Sequence, residues 1–265
     1  MTISTNPLHA ALAAGRVQIG TWINLTRNPA ILTLLKSAGL DYARVDMEHS
    51  SPSIETVADM AVLARALDFP LVVRPPEGNR EWITRLLDVG VWGLHIPQVD
   101  TPEIAHQVAQ FARYAPMGAR GHAGMGPGTD FDGDLSPADR LSHLNQHVHV
   151  TIMLETAAAF DQLDDILSVE GIDAVTLGPS DLSIDLGVYG TSRQEDALAE
   201  YRQRLIAAAR AHGKQVAMLV DSVAEAQRWI EAGVLLVAYS SDVAILRSGY
   251  ASAVRQLHQS VPTLT

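Results

Sequence analysis

The chain has 265 residues, of which 47% are hydrophobic, and a formal net charge of -11 from 19 basic and 30 acidic residues. This length suits one α/β barrel with a full core, and the negative charge argues against nucleic acid and anionic membranes as partners. The absence of cysteine excludes disulfides and thiolate chemistry. Because the sequence lacks an apolar leader and a membrane-length apolar run, we expect a soluble cytoplasmic protein that binds a small molecule.

Eight short apolar runs are spaced along the chain and are predicted to form β-strands. They are Val17–Leu25, Tyr42–Val45, Leu71–Val73, Gly93–Ile96, Val148–Leu154, Ala174–Leu177, Gln215–Leu219 and Leu235–Ala238. Segments with helical periodicity lie between them, at Pro29–Ala38, Ser53–Leu67, Pro102–Ala112, Ala158–Leu167, Glu195–His212 and Ser222–Ala232. This alternation indicates parallel strands, and the strand count predicts an α/β fold of the TIM (β/α)8 barrel type, with residues 1–265 in a single domain. The alternative is a doubly wound open sheet, but no glycine-rich phosphate loop follows the first strand.

The segment 120–147 interrupts the alternation of strands and helices. It contains Gly-Pro-Gly-Thr-Asp and Asp-Gly-Asp, which are too polar for a core, and it is too long for an ordinary connection. We predict that it forms a flap over the barrel mouth, with a short helix near Pro137–Asn145.

Polar residues follow several predicted strands at the points where the strands end. In a parallel barrel these ends converge on one mouth, where catalytic groups lie. Glu155 and Asp181 end adjacent strands, and two carboxylates that meet need a cation or a shared proton between them. Oxygen ligands favour Mg²⁺, Mn²⁺ or Co²⁺ in an open, Lewis-acid site. The structural alternative is that both carboxylates only stabilise helix starts.

Two further side chains at the predicted mouth could take part in catalysis. His49 follows the second strand and could transfer a proton near neutral pH, although a surface or packed histidine would give the same pattern. Arg74 follows the third strand directly and would stabilise a carboxylate or an enolate oxygen. The alternative for Arg74 is an ion pair with Asp46 or Glu48.

Asp88 lies in the last turn of a predicted helix, where the helix dipole disfavours a negative charge, so we expect a compensating partner. A helix that leads into a strand ends at the face opposite the mouth. Asp88 is therefore expected to be badly placed to reach His49 of its own chain, but a neighbouring subunit could bring it there.

Five motifs in order resemble the HpcH/HpaI aldolase family of metal-dependent 2-oxo-acid aldolases, typified by 4-hydroxy-2-oxoheptanedioate aldolase and 2-dehydro-3-deoxyglucarate aldolase. They are Asp46-x-Glu48-His49, Val73-Arg74-Pro75, Leu86-Leu87-Asp88-Val89-Gly90, Leu154-Glu155-Thr156 and Gly178-Pro179-Ser180-Asp181-Leu182-Ser183. The resemblance runs from Gly20 to about Ala253, and several motifs in register are far more specific than any one of them.

The resemblance implies a role for each site residue. Glu155 and Asp181 hold the metal, and backbone amides near Gly178, Ser180 and Asp181 bind the substrate carboxylate. Arg74 stabilises the enolate oxygen. His49, helped by Asp46 and by Asp88 of a neighbour, relays the proton through water. The resemblance also implies a homohexamer, a trimer of dimers, in which the C-terminal helix, residues 243–260, is exchanged between subunits.

The chain departs from the family pattern at two positions. The family often has a glutamine two residues before the metal glutamate, and this chain has Met153, which cannot donate that hydrogen bond. Met47 stands in the first motif where glycine is common. The pocket that binds the aldehyde acceptor is therefore expected to differ from that of other family members.

The leading hypothesis is a class II aldolase, a carbon–carbon lyase that joins or cleaves pyruvate or hydroxypyruvate and an aldehyde through an enolate. A Schiff-base aldolase needs a lysine at the mouth, and neither Lys36 nor Lys214 is predicted there. One alternative is an acyl-CoA lyase of the citramalyl- or malyl-CoA type, or an oxaloacetate decarboxylase, on the same barrel. A ligand-binding barrel without catalysis is the third hypothesis, and the set of charged groups at the mouth argues against it.

Overall fold

The computed structural model describes residues 3–260 and forms a closed barrel of eight parallel strands in sequence order, with β1 paired to β8. The strands are β1 Gln18–Ile23, β2 Tyr42–Asp46, β3 Leu71–Arg74, β4 Gly93–Ile96, β5 His149–Leu154, β6 Ala174–Leu177, β7 Gln215–Val220 and β8 Leu236–Ser241. The predicted TIM barrel is confirmed, and the closure of β1 on β8 excludes the open sheet. β8 extends three residues beyond its predicted end, because the polar residues Ser240 and Ser241 belong to the strand.

Helices surround the barrel and connect its strands. They are α1 Pro7–Ala13, α2 Ala30–Ser37, α3 Ile54–Ala66, α4 Arg80–Asp88, α5 Pro102–Ala112, α6 Pro137–His147, α7 Ala157–Asp161, α8 Leu163–Leu167, α9 Pro179–Asp185, α10 Gln194–Ala211, α11 Val223–Glu231 and α12 Asp242–Ser260. Side-chain caps start many of them: Ser53 accepts from the amide of Thr56 at the start of α3, as expected for an N-cap serine. The helix predicted at Ala158–Leu167 is two helices, which meet at Gln162 with φ -110 and ψ 18. No helix within residues 3–260 combines the length and apolarity that a membrane span requires.

The helix α1 closes the amino-terminal end of the barrel. Leu8 and Leu12 of α1 pack against residues at or near the starts of the strands, including Tyr42, Ala174 and Leu236. These side chains are all buried, so the barrel has an apolar floor at this end. The polar groups inside the barrel therefore lie toward its carboxyl-terminal mouth.

The segment 120–147 packs against the amino-terminal face, which is the face opposite the mouth. Asp130 pairs with Arg65 at the end of α3, and a Cβ atom on Gly128 would lie 2.6 Å from the carbonyl oxygen of Leu87 in α4. The predicted short helix is present as α6, but the prediction of a flap over the mouth of its own barrel is wrong. The reason is topological: the segment follows a helix and precedes a strand, and such connections lie at the amino-terminal face.

Asp130 anchors this segment, and its replacement should cost stability in a pH-dependent way. It accepts hydrogen bonds from Nε and Nη2 of Arg65 at 2.6 and 2.7 Å and from the amide of Ser4 at 2.7 Å. Burial opposes ionisation of the carboxyl, but these hydrogen bonds outweigh it and lower the pKa of Asp130 to about 2. A lowered pKa in the folded state stabilises the protein above the ordinary value of about 4, and this stabilisation is lost as the pH falls toward 2.

We expect Asp130→Asn to lower the free energy of unfolding by about 1–2 kcal/mol at pH 7, since the carboxylate side chain is 20% exposed and solvent weakens the pair. Asparagine tolerates the φ of 50° at this position, so the substitution tests the charge rather than the backbone. Urea unfolding at several pH values checks this, with the exposed Asp134→Asn as the control. The difference from the wild type should shrink between pH 4 and pH 2, and a loss that does not change with pH would contradict this account.

Candidate active site

A cavity of about 300 Å³ opens at the carboxyl-terminal ends of the strands. All eight strands, or the residues that directly follow them, contribute to its lining. The lining residues are Trp22, Asn24, Arg44, His49, Arg74, His95, Met153, Glu155, Thr176, Leu177, Gly178, Pro179, Ser180, Asp181, Leu219, Asp221, Ser240 and Ser241. The structure thus brings together six residues predicted from the sequence, which are His49, Arg74, Glu155, Gly178, Ser180 and Asp181.

Arg74 is held by two carboxylates of the second strand and its extension. Its Nε and Nη2 donate to the two oxygens of Asp46 at 2.9 and 2.8 Å, and its Nη1 lies 3.0 Å from Oε2 of Glu48. Asp46 is fully buried; burial opposes its ionisation, but the hydrogen bonds from Arg74 outweigh it and lower the pKa of Asp46. The ion pairs considered as the alternative for Arg74 are therefore present, and they fix its guanidinium at the cavity wall.

Glu155 is a buried carboxyl whose charge is unfavourable in its surroundings. It is only 5% exposed, and burial together with the carboxylates of Asp181 and Glu48 raises its pKa to about 7. Its Oε2 accepts a hydrogen bond of 2.6 Å from the amide of Gln98, a residue that adopts a φ of 55°. That left-handed conformation is uncommon for a residue other than glycine. Gln98 adopts it while its amide donates to the carboxyl of Glu155.

Gly178 permits the close approach of Glu155 to the turn after β6. A Cβ atom at position 178 would lie 2.7 Å from Cγ and 2.8 Å from Oε1 of Glu155. The amide of Gly178 donates to the carbonyl of Leu154 at 2.9 Å, so it is not one of the free amides expected there. Ser180 and Asp181 lie in the first turn of α9, where amides have no carbonyl partner within the helix.

Glu48 was not among the predicted site residues, although it belongs to the Asp46-x-Glu48-His49 motif. Burial raises the pKa of Glu48, the charge of Arg74 opposes this rise, and the carboxylates of Asp46 and Asp181 add to it. Glu48 and Asp181 also raise the pKa of Glu155, so these three carboxyl groups lie near one another, which increases the need for positive charge.

His49 and Asp88 lie apart from one another. The imidazole of His49 is 64% exposed, with Nε2 at 3.6 Å from Oε2 of Glu48, and Asp46 accepts from the backbone amide of His49 at 3.3 Å rather than from its ring. Asp88 lies at the opposite face, where Nη2 of Arg120 donates to its Oδ1 at 2.7 Å. Arg120 is therefore the compensating partner expected for a carboxylate at a helix end.

A buried arginine and a buried histidine lie deeper in the cavity, and the sequence did not single them out. Arg44 and His95 are 2% and 1% exposed, and within the described chain Nε of Arg44 and both ring nitrogens of His95 have no hydrogen-bond partner. The ring of Trp22 lies between them, 5.6 Å from Cζ of Arg44 and 5.2 Å from the ring of His95. The available signal was the two-residue period of a strand, which places Arg44 on the same side as Asp46.

The chain belongs to the HpcH/HpaI aldolase/citrate lyase family, whose model matches residues 18–248. It is accordingly an enzyme, a carbon–carbon lyase of the aldolase type, and the resemblance carried by the five motifs is confirmed.

Individual relatives agree with this assignment. 5-Keto-4-deoxy-D-glucarate aldolase of Shigella sonnei is 35% identical over 243 residues, covering 92% of this chain and 93% of the relative. The crystal structure of an HpcH/HpaI aldolase from Desulfitobacterium hafniense is 31% identical, with a TM-score of 0.92 over 99% of this chain and 100% of the other.

More distant structures carry less information. A citrate lyase β subunit from M. tuberculosis is 16% identical, covers 85% of this chain and 92% of its own, and has a TM-score of 0.55, so this likeness shows the fold alone. The acyl-CoA lyase alternative gains no support from it.

Proposed function

We propose that this aldolase depends on a divalent metal, Mg²⁺, Mn²⁺ or Co²⁺, and joins or cleaves pyruvate or hydroxypyruvate and an aldehyde through an enolate. The observation that carries the proposal is the placement of two carboxyl groups, Glu155 and Asp181, in one cavity, with Glu155 only 5% exposed. Burial and the neighbouring carboxylates raise the pKa of Glu155 to about 7, and a bound cation would favour its ionised form at neutral pH.

The residues at the mouth fit a hard divalent cation. Glu155 and Asp181 supply carboxylate oxygens, which are the ligand atoms that Mg²⁺ and Mn²⁺ prefer. When bound, the ion polarises the keto group of the donor substrate and stabilises the enolate charge. The oxygen Oε2 of Glu155 already accepts from Gln98, which fixes the orientation of the carboxylate before any ligand arrives.

Side chains and backbone amides of the protein then stabilise the enolate, bind the substrate carboxylate and transfer the proton. Arg74, held in a fork by Asp46, presents its positive charge to the enolate oxygen. The amides of Ser180 and Asp181 bind the substrate carboxylate at the start of α9. His49 is exposed at the cavity rim and transfers the proton to and from C3 of the donor through water.

We propose that Asp88 completes the site of a neighbouring subunit in a homo-oligomer, a hexamer, and raises the basicity of His49 there. The Asp88 side chain is 30% exposed at the face opposite its own mouth, so a neighbour can reach it. The C-terminal helix α12 supports assembly, because it exposes several large apolar side chains. They are Val243, Ile245, Leu246, Tyr250, Val254 and Leu257. Such a face is typical of a subunit contact.

The buried guanidinium of Arg44, with His95 near it, favours a substrate with a second acidic group. The relatives named 5-keto-4-deoxy-D-glucarate aldolase act on a sugar diacid by that name, and we propose a substrate of the same chemical class for this chain. Burial lowers the pKa of both Arg44 and His95, and no carboxylate is among the charges that shift them. A carboxylate of the substrate would supply the missing counter-charge.

We expect Arg44→Met to raise KM for acidic aldehydes by about 10- to 100-fold, the loss of one charge-assisted hydrogen bond, with a small effect on neutral aldehydes. Because the buried Arg44 has no carboxylate partner within residues 3–260, the variant should be at least as stable as the wild type. Steady-state kinetics with an acidic and a neutral aldehyde, together with urea unfolding, check both points. An equal change in KM for the two aldehydes would show that Arg44 does not recognise the acidic group.

Exchange of the C3 protons of pyruvate in D2O, followed by NMR, tests the proposed function. Chelator-stripped enzyme is compared with enzyme given Mg²⁺, Mn²⁺ or Co²⁺. We expect exchange only with metal, because the enolate forms before any aldehyde is needed. No exchange of either pyruvate or hydroxypyruvate with any of the three metals would overturn the proposal.

A further inference from the structure

A cluster of metal-ligating side chains lies on the amino-terminal face, opposite the mouth. It consists of His9 in α1, His149 at the start of β5 and Asp173 just before β6. One imidazole nitrogen from each histidine and one carboxylate oxygen of Asp173 lie within 4.8 Å of one another. The two rings are 5.5 Å apart between centroids and nearly perpendicular, at 80°. Three separate segments of the chain therefore direct potential ligands at one point.

Both histidines carry a buried nitrogen without a partner. His149 is 2% exposed, and neither its Nε2 nor Nε2 of His9 has a hydrogen-bond partner among the described residues. Buried polar atoms are nearly always paired, so two unpaired nitrogens beside one carboxylate require an explanation.

The other nitrogen of His9 is fixed in the way that is usual for a metal ligand. His9 forms a hydrogen bond with the backbone of Gln146, which stabilises its protonated form and is therefore donated by the ring. Since Nε2 has no partner, Nδ1 is the donor, and the lone pair of Nε2 is left free. A backbone carbonyl in this position sets the tautomer and ring orientation of many metal-bound histidines.

The burial of the cluster also suits metal ligation. Burial lowers the pKa of both His149 and His9, and the neutral imidazole is the form that binds metals. Oδ2 of Asp173 accepts from Arg113 and from the amide of Val150, each at 2.7 Å, which leaves Oδ1 for another ligand. Arg113 also donates to the carbonyl of Val148 at 2.9 Å, so its charge is shared among several oxygens.

We propose that His9, His149 and Asp173 bind a divalent transition-metal ion such as Zn²⁺, at a site separate from the mouth. Two imidazoles and one carboxylate are a ligand set that suits zinc and related ions, whereas Mg²⁺ and Ca²⁺ prefer oxygen alone. Tetrahedral zinc places such ligand atoms roughly 3.4 Å apart. Because the three atoms already lie within 4.8 Å of one another, binding requires each pair to approach by at most about 1.4 Å. The ion links α1 to the starts of β5 and β6, and it stabilises the closed end of the barrel.

Metal binding by a variant without the mouth carboxylates separates this site from the proposed catalytic one. The untagged full chain with Glu155→Gln and Asp181→Asn is stripped with a chelator and dialysed against Co²⁺ or Zn²⁺. We expect one ion per chain, a visible Co²⁺ spectrum and a melting temperature that rises with Zn²⁺ concentration. Adding His9→Gln should raise the Kd by about 100-fold or more and remove the thermal shift, while the exposed His106→Gln should change neither.

The proposal fails if the mouth variant binds no ion, or if His9→Gln leaves the affinity unchanged. Circular dichroism without metal establishes that the His9→Gln chain folds. Diffraction from zinc-soaked crystals of the unaltered protein at the zinc edge gives a test that needs no substitution. An anomalous peak between the three side chains supports the site, and its absence at saturating zinc overturns it.

Discussion

Replacing Glu155 with glutamine is expected to lower kcat/KM by about a thousandfold or more and to abolish the dependence of turnover on added metal. Glutamine has nearly the shape of glutamate, and its oxygen can still accept from the amide of Gln98. The substitution therefore removes the negative charge while it preserves the packing around a side chain that is 5% exposed.

Two matched variants serve as controls for the loss of activity in Glu155→Gln. Glu170→Gln changes an exposed carboxyl outside the cavity and should keep wild-type kinetics. Glu48→Gln removes a carboxyl that pairs with Arg74 at 3.0 Å, and should lower kcat without abolishing metal dependence. Metal affinity is measured alongside by titration calorimetry. A Glu155→Gln enzyme that keeps metal-dependent activity within tenfold of the wild type would assign the metal to other residues.

Arg74→Lys is expected to lower kcat by about 100- to 1,000-fold and to leave KM nearly unchanged. Lysine keeps the positive charge but cannot form the two parallel hydrogen bonds to Asp46, so the charge is no longer fixed where the enolate oxygen develops. An interaction that strengthens only in the transition state affects kcat rather than binding.

Proton exchange at C3 of pyruvate distinguishes this role from a purely structural one. The exchange rate of Arg74→Lys should fall in parallel with kcat, because both depend on the enolate. Arg85→Lys alters an arginine that is 47% exposed and pairs with Glu81 in the same helix, and it should change neither rate. Normal exchange with slow turnover in Arg74→Lys would place Arg74 in aldehyde recognition instead.

The sequence predicts the barrel because its strands are short apolar runs, and the order of the polar strand ends predicts most of the mouth. Glu155 is recognisable since it directly follows such a run, and Asp181 since it lies in the short turn after the next one. Arg44 and His95 are harder to recognise, because they lie within the runs and their significance depends on having no partner in the folded barrel. The partner of Asp88 is also hidden, because Arg120 is 32 positions away along the chain.

The placement of the segment 120–147 shows a different limit. Its polar composition indicates a surface segment, and composition does not distinguish one face of the barrel from the other. The direction of the chain does: a connection from helix to strand arrives at the amino-terminal face. The contacts of Asp130 and Gly128 are long-range, and no local pattern encodes them.

This segment also divides the chain into two half-barrels, with β1–β4 before it and β5–β8 after it. The first half carries Arg74 and His49, the groups proposed for charge stabilisation and proton transfer, and the second carries Glu155 and Asp181, the proposed metal ligands. A cut in the segment would therefore yield two fragments with complementary chemistry, neither of which holds a whole site. The enzyme is suited to a split reporter, in which aldol cleavage returns only when the two fragments are brought together.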